Sequence, residues 1–146
     1  MRSLIVDDSM TNAKMLKSFL SPFGECDIVT NGKEAIEVYN NSLESDNLYH
    51  LICLDIMMPE MNGQIALVKL RQIEDEKKIL NHDRVKIIMV SGAPLRENLI
   101  NAFKGRCDAY LPKPFSKNGL FRHLYSLELV DPDTLIKNLL NIKITK

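Results

Sequence analysis

The sequence predicts an α/β fold in which five parallel strands form one doubly wound sheet with helices on both faces. Two observations predict it. Short apolar runs alternate with longer amphipathic stretches five times along the chain, which is the pattern of strands joined by crossover helices. Three of the runs are nearly unbroken in apolar residues, as strands covered on both faces require. At 146 residues, the chain suits one ordinary domain with a real core and is too short for two large ones.

The strands are read at SLIV (3–6), CDIVT (26–30), LICLDI (51–56), VKIIMVS (85–91) and DAYLP (108–112). A first helix is read from Thr11 to Leu20, with Met15, Leu16, Phe19 and Leu20 on one side. A second runs from Lys33 to about Leu43 and is entered through the turn Asn31-Gly32. The third, Gln64 to about Glu74, places Ile65, Leu67, Val68 and Leu70 inward. The fourth begins after Pro94, reaches about Lys104 and carries Leu95, Leu99, Ile100 and Phe103 at helical spacing. Ser116 is the expected N-cap of a fifth that ends near Leu127 and carries Leu120, Phe121 and Leu124.

The reading divides the chain into a domain over residues 1–128 and an extension over residues 129–146. In the extension, Asp131 followed by Pro132 starts a short sixth helix with Leu135, Ile136, Leu139 and Leu140 as a narrow apolar stripe. Three uses are open to that stripe: capping the sheet edge, docking elsewhere on the domain, or self-association into a homodimer. Capping is the ordinary one. The charged stretch EDEKKILNHDR (74–84) reads as a solvated helix end and loop.

Nineteen basic and nineteen acidic side chains balance, so no overall basic field favours nucleic acid or a membrane surface. The N-terminus reaches Asp7 and Asp8 too early for a secretory leader, and no apolar run approaches the roughly 20 residues of a membrane span. A cytoplasmic protein is expected. Cys26, Cys53 and Cys107, odd in number and widely spaced, read as free packed thiols.

Ligands of open parallel sheets bind beyond the carboxyl ends of the strands, so what stands there matters most. Strand one ends in Asp7 and Asp8, strand three in Asp55, and strand four in Ser91 before Gly92; strand five leads to Lys113 and Pro114. In the flavodoxin-like order 2-1-3-4-5 these four strands are consecutive, and the side chains fall in one row. Three neighbouring carboxylates disfavour one another's ionisation, and a divalent cation relieves them. All-oxygen ligands point to Mg²⁺, which commonly shares its coordination with a phosphate. Ser91 and Lys113 complete a cradle for an anion on Asp55, with Asp55 as nucleophile in phosphoryl transfer. Each residue alone has a plainer use, as helix-end charge, turn residue or surface lysine; their coincidence at independent strand ends carries the reading.

These residues resemble the receiver domains of two-component response regulators over roughly residues 2–128, through LIVDDS, LICLDIMMPEMNG, IIMVSGA and AYLPKPF in order and spacing. The resemblance implies that Asp55 accepts a phosphoryl group from a phosphohistidine on a sensor histidine kinase or histidine phosphotransfer protein. It implies Mg²⁺ held by Asp8 directly, Asp7 largely through water, Asp55 and the backbone carbonyl of Met57. Ser91 and Lys113 are implied phosphoryl contacts, and Ser91 with Tyr110 the switch pair. Pro59 and Gly63 are implied to shape the loop, and Lys113-Pro114 to be cis. The downstream partner is implied to read the face of the fourth helix, fifth strand and fifth helix. With only residues 129–146 left over, a stand-alone receiver is expected.

Two departures from the family stand out. Arg106 occupies the place where many relatives have Gly, with Gly105 one residue earlier, so a shifted loop before strand five is expected. Met57 replaces a polar residue of fast-hydrolysing relatives, which predicts a long-lived phosphoryl aspartate. A flavodoxin is disfavoured by two aspartates in the loop that would cradle its phosphate. A haloacid-dehalogenase-like hydrolase would need Asp where Met57 stands, and Gly-rich nucleotide motifs are absent. The remaining rival is a receiver-shaped binding module that works without phosphorylation. His50, His82 and His123 read as surface or helix-packing residues.

Overall fold

A computed structural model describes residues 1–92 and 96–144. Five strands, β1 (Ser3–Val6), β2 (Cys26–Val29), β3 (Leu51–Asp55), β4 (Lys86–Ser91) and β5 (Ala109–Pro112), form one parallel sheet in the order β2-β1-β3-β4-β5. The pairings of β1 with β2 and β3, of β3 with β4 and of β4 with β5 are all parallel. This is the predicted fold. The helices are α1 (Met10–Leu20), α2 (Gly32–Glu44), α3 (Gly63–Glu76), α4 (Arg96–Lys104), α5 (Lys117–Ser126) and α6 (Pro132–Ile144). Short 3-10 turns at Ser21–Phe23 and Asn81–Asp83 were not expected from the sequence.

Because side chains alternate along a strand, each buried strand feeds two cores. Leu4, Val6, Ile52, Leu54, Ile87 and Met89 pack with Ala35 and Tyr39 of α2, Leu67 and Leu70 of α3, and Ala102 of α4. Ile5, Leu51, Cys53, Ile88 and Val90 pack on the opposite face with Leu16 and Leu20 of α1 and Leu120, Phe121 and Leu124 of α5. Leu135 brings α6 onto this second core, with Leu139 partly buried against it, while Ile136 and Leu140 face solvent.

Side-chain caps set the helix starts: Ser9 for α1, Asn31 for α2, Asn62 for α3 and, as predicted, Ser116 for α5 each accept a backbone N–H from their first turn. Thus α1 starts one residue earlier than read, at Met10.

The inward faces differ from expectation in places. Met15 of α1 is exposed, and Leu99, Ile100 and Phe103 of α4 all face solvent; Leu95 lies outside the described residues. On α3, Leu67 and Leu70 are buried as expected, but Ile65 and Val68 are exposed while Arg71 and Glu74 are buried. Glu74 is therefore no part of a solvated helix end.

The reason is an ionic network beneath α3. The Arg71 guanidinium donates to Glu74 Oε1 (2.7 Å), the Val85 carbonyl (2.8 Å), Asp108 Oδ2 (2.8 Å) and the Arg106 carbonyl (2.9 Å). Glu74 Oε2 accepts from the Tyr39 hydroxyl (2.7 Å) and the Val85 N–H (3.0 Å), and Asp108 Oδ2 from the Ile87 N–H (2.8 Å). Two buried charges survive because they are paired and saturated with hydrogen bonds.

The loop before β5 is entered through Arg106. Arg106 itself adopts the left-handed conformation (φ 72°) that ends α4, and the Cys107 N–H reaches back to the Ala102 carbonyl (3.2 Å). Its guanidinium meets both oxygens of Asp75, at 3.2 and 2.8 Å. Gly105 serves a different need, since a Cβ there would stand 2.7 Å from Leu67 Cδ2, where α4 closes onto α3.

Candidate functional site

The site lies at the carboxyl ends of β1, β3, β4 and β5, and the topology brings the residues together from distant parts of the sequence. Asp55 is the last residue of β3 and Ser91 the last of β4; Asp55 pairs with Val90, so the two ends are adjacent. Ser91 in turn pairs with Pro112, which puts Lys113 next in line, and the Lys113 N–H donates to the Ser91 carbonyl at 2.6 Å. Ser91 is fully buried. The Lys113-Pro114 peptide is cis, as expected.

Asp7 and Asp55 are both buried at 1% and 2% exposure, whereas Asp8 is exposed. One carboxylate oxygen from each of Asp7, Asp8 and Asp55 lies within 4.8 Å of the others. Against these three negative groups, Lys113 is placed with its ammonium 3.2 Å from Asp55 Oδ1 and 3.4 Å from Asp7 Oδ2. Burial first, and then the Asp7 carboxylate, push the Asp55 carboxyl up to about 6; Lys113 and the Met57 N–H, 3.3 Å from Oδ1, pull the other way.

The donor set fits a hard divalent cation. Asp7 Oδ2 is buried and accepts no hydrogen bond among the described residues, and the Lys113 ammonium stands 3.4 Å from it. Its other oxygen accepts the Ser9 N–H at 2.9 Å, which orients the carboxylate. Ser9 is a residue the sequence reading missed; its place one residue before an amphipathic run was the available signal. A buried oxygen that accepts no hydrogen bond among the described residues, beside two further carboxylates, suits an oxygen-preferring cation such as Mg²⁺.

The loop after Asp55 is folded by backbone bonds. The Ile56 carbonyl accepts both the Met58 N–H (3.1 Å) and the Gly63 N–H (2.8 Å), and the Met61 N–H donates to the Pro59 carbonyl (2.8 Å). Met57 projects its side chain to solvent, at 63% exposure.

Tyr110, half-buried, packs against the α2–α3–α4 core, and its hydroxyl is buried with no hydrogen-bond partner among the described residues. His123 of α5 donates from Nε2 to the Tyr110 carbonyl at 3.1 Å, a helix-packing role of the expected kind. His50 accepts the Arg2 N–H, and His82 is exposed beside Asp83. All three cysteines are free.

Residues 3–125 match the family model described as response regulator receiver domain. The chain belongs to that family. The receiver is 35% identical over 114 residues to the transcriptional regulatory protein SrrA of Staphylococcus aureus, covering 77% of this chain and 42% of SrrA. It thus spans less than half the length of that curated relative.

Among solved structures, the receiver is similar to the receiver domain of the histidine kinase CKI1 from Arabidopsis thaliana complexed with Mg²⁺ and BeF₃⁻: 26% identity, TM-score 0.74, 88% of this chain and 90% of that one. It is also similar to a chain of the CheX–CheY–BeF₃–Mg complex from Borrelia burgdorferi: 25% identity, TM-score 0.73, 90% of each chain. Receiver domains are signalling domains of two-component systems rather than conventional enzymes. Among the described residues, no helix is long and apolar enough to cross a membrane.

Proposed function

We propose that this receiver accepts a phosphoryl group on Asp55 from a phosphohistidine of a sensor histidine kinase or histidine phosphotransfer protein. The observation that carries the reading is the placement of Asp55: a buried carboxylate at the end of the central strand, 3.2 Å from Lys113 and beside Asp7 and Asp8. A carboxylate oxygen forms the new O–P bond as the P–N bond breaks, and the imidazole nitrogen leaves with the electron pair. Lys113 and Ser91 contact the phosphoryl oxygens, and Lys113 neutralises part of their charge.

Asp7, Asp8, Asp55 and the Met57 carbonyl would hold Mg²⁺. Bound there, the ion supplies positive charge against the phosphoryl oxygens and the acidic cluster. Residues 1–128 form the receiver unit and residues 129–146 its extension. Phosphorylation biases Ser91 and Tyr110 toward a second packing, and a downstream protein reads the α4–β5–α5 face, where Leu99, Ile100 and Phe103 are exposed. The exposed pair Ile136 and Leu140 on α6 offers a surface for homodimerisation.

The deciding experiment is intact-protein mass after incubation with Mg²⁺ and acetyl phosphate, beside Asp55→Asn. One phosphoryl increment in the wild type, dependent on Mg²⁺ and absent from the variant, supports the reading. No increment with Mg²⁺ bound, from acetyl phosphate or from a phosphorylated kinase, overturns it in favour of a binding module that works without phosphorylation.

A further inference from the structure

The helix α3 departs from an ordinary amphipathic helix at four positions: beside the buried Ala66, Leu67 and Leu70 it buries two charged residues, Arg71 and Glu74, and it turns two branched apolar ones, Ile65 and Val68, outward. Ile65 and Val68 are 46% and 55% exposed, one turn apart. Scattered exposed apolar residues need no explanation, but these two lie together in a groove of about 530 Å³ between α3 and α4. Its α3 wall includes Ile65, Val68 and Lys69, and its other wall is Asn101 and Lys104 of α4 with Gly105 just after it.

The groove is built to a definite width. At its lower end α4 closes onto α3 because Gly105 lacks a Cβ where Leu67 Cδ2 would be met at 2.7 Å. Just beyond, Arg71 holds the Arg106 carbonyl, and Arg106 pairs with Asp75. That carboxylate is already shared with Arg84 at 2.7 Å. Lys69 and Lys104 are therefore the charged residues lining the groove, one on each wall; Glu97 stands one turn above Asn101 on α4, outside the lining.

We infer that this groove is a docking site for an amphipathic helix of a partner protein, which inserts apolar side chains over Ile65 and Val68 and presents carboxylates to Lys69 and Lys104. Helices form both walls, so no strand edge is available for an extended peptide to pair with, and side-chain anchors at helical spacing are the mode that fits. The two lysines, with no acidic side chain in the lining among the described residues, select an acidic helix over a basic one. This surface lies on the opposite flank of α4 from Leu99 and Phe103, and the inference stands independently of phosphorylation at Asp55.

The test is a two-dimensional amide NMR titration of the full chain with a synthetic amphipathic helical peptide of about 16 residues, carrying leucines on one face and glutamates beside them. A second peptide replaces the glutamates with lysines. The expected result is shifts grouped on the amides of 64–72 and 101–105, with the lysine peptide at least about tenfold weaker. Binding should fall by at least about tenfold in Val68→Glu and in Lys69→Glu with Lys104→Glu, all exposed changes that leave the core intact, while Phe103→Ala binds as wild type. Equal affinity for both peptides, shifts elsewhere, or no binding below about 1 mM overturns the inference.

Discussion

A Cβ on Gly63 would stand 2.2 Å from the carbonyl oxygen of Asp55. The first residue of α3 thus lies against the backbone of the last residue of β3, and only glycine permits that approach. Gly63→Ala should lower stability by about 3 kcal/mol, through displaced backbone. Because the displacement falls on Asp55 and Ile56, Mg²⁺ affinity should fall in the same variant. Urea denaturation and a metal titration check the two parts separately.

The raised Asp55 pKa makes a signed prediction for the metal-free protein. The folded state holds a proton on Asp55 up to about pH 6, while the unfolded chain releases it near 3.8. Between these values the native state binds more protons, so the Asp55 contribution is present in full below pH 3.8 and is lost as pH rises through 6, by about 3 kcal/mol in all. Asp55→Asn removes the penalty. It should stabilise the metal-free protein at pH 7.5, and the difference should shrink as pH falls from 6 to 4, as read by chemical denaturation in EDTA.

Arg71→Met should destabilise by about 3–5 kcal/mol, since Glu74, fully buried, would keep its charge without its partner. The Tyr39 hydroxyl cannot take over that compensation; burial and the Glu74 carboxylate push its pKa far above the ordinary phenol value, so it remains a neutral donor. Adding Glu74→Gln to Arg71→Met should recover part of the loss. Denaturant midpoints at unchanged m-value are the measurement.

At the end of α4, two substitutions of Arg106 should behave differently. Arg106→Ala keeps a Cβ in the left-handed region and gives up the Asp75 pairing, so it destabilises. Arg106→Gly gives up the same pairing but relieves the backbone strain, so it should be the milder change. Thermal unfolding of the pair decides it.

The exposed Met57 side chain bears on the lifetime of the phosphoryl group. We expect slow loss of the label from purified wild type, over minutes or longer, and faster loss in Met57→Asn, whose amide is able to orient a water. Timed mass spectra after removal of acetyl phosphate check this; loss within seconds in the wild type would contradict it.

Much of this molecule is written in local pattern. Apolar runs located all five strands, and the residues that end them located the acidic cluster, because a parallel sheet gathers its strand ends whatever the intervening sequence. The α3 face was misread for a physical reason. Periodicity assigns apolar residues to the inside, and the partners that let Arg71 and Glu74 take those places, Tyr39, Val85 and Asp108, come from three separate stretches of the chain. The left-handed backbone of Arg106 was not legible either: nothing local marks an arginine for that conformation, and the glycine beside it, Gly105, is needed for the close approach of Leu67.

The alternation of β3 between two cores has a bearing on timing. Leu51 and Cys53 belong to one core, Ile52 and Leu54 to the other, and strands flank it on both sides. Amides of such a strand exchange with solvent only when the whole domain opens, whereas helix ends and edge strands open in smaller steps. Asp55 therefore ends the strand whose amides are expected to exchange slowest, as hydrogen exchange would read. Local openings elsewhere leave the acceptor where it is, and the surfaces that partners meet can fluctuate over it as around a fixed hub.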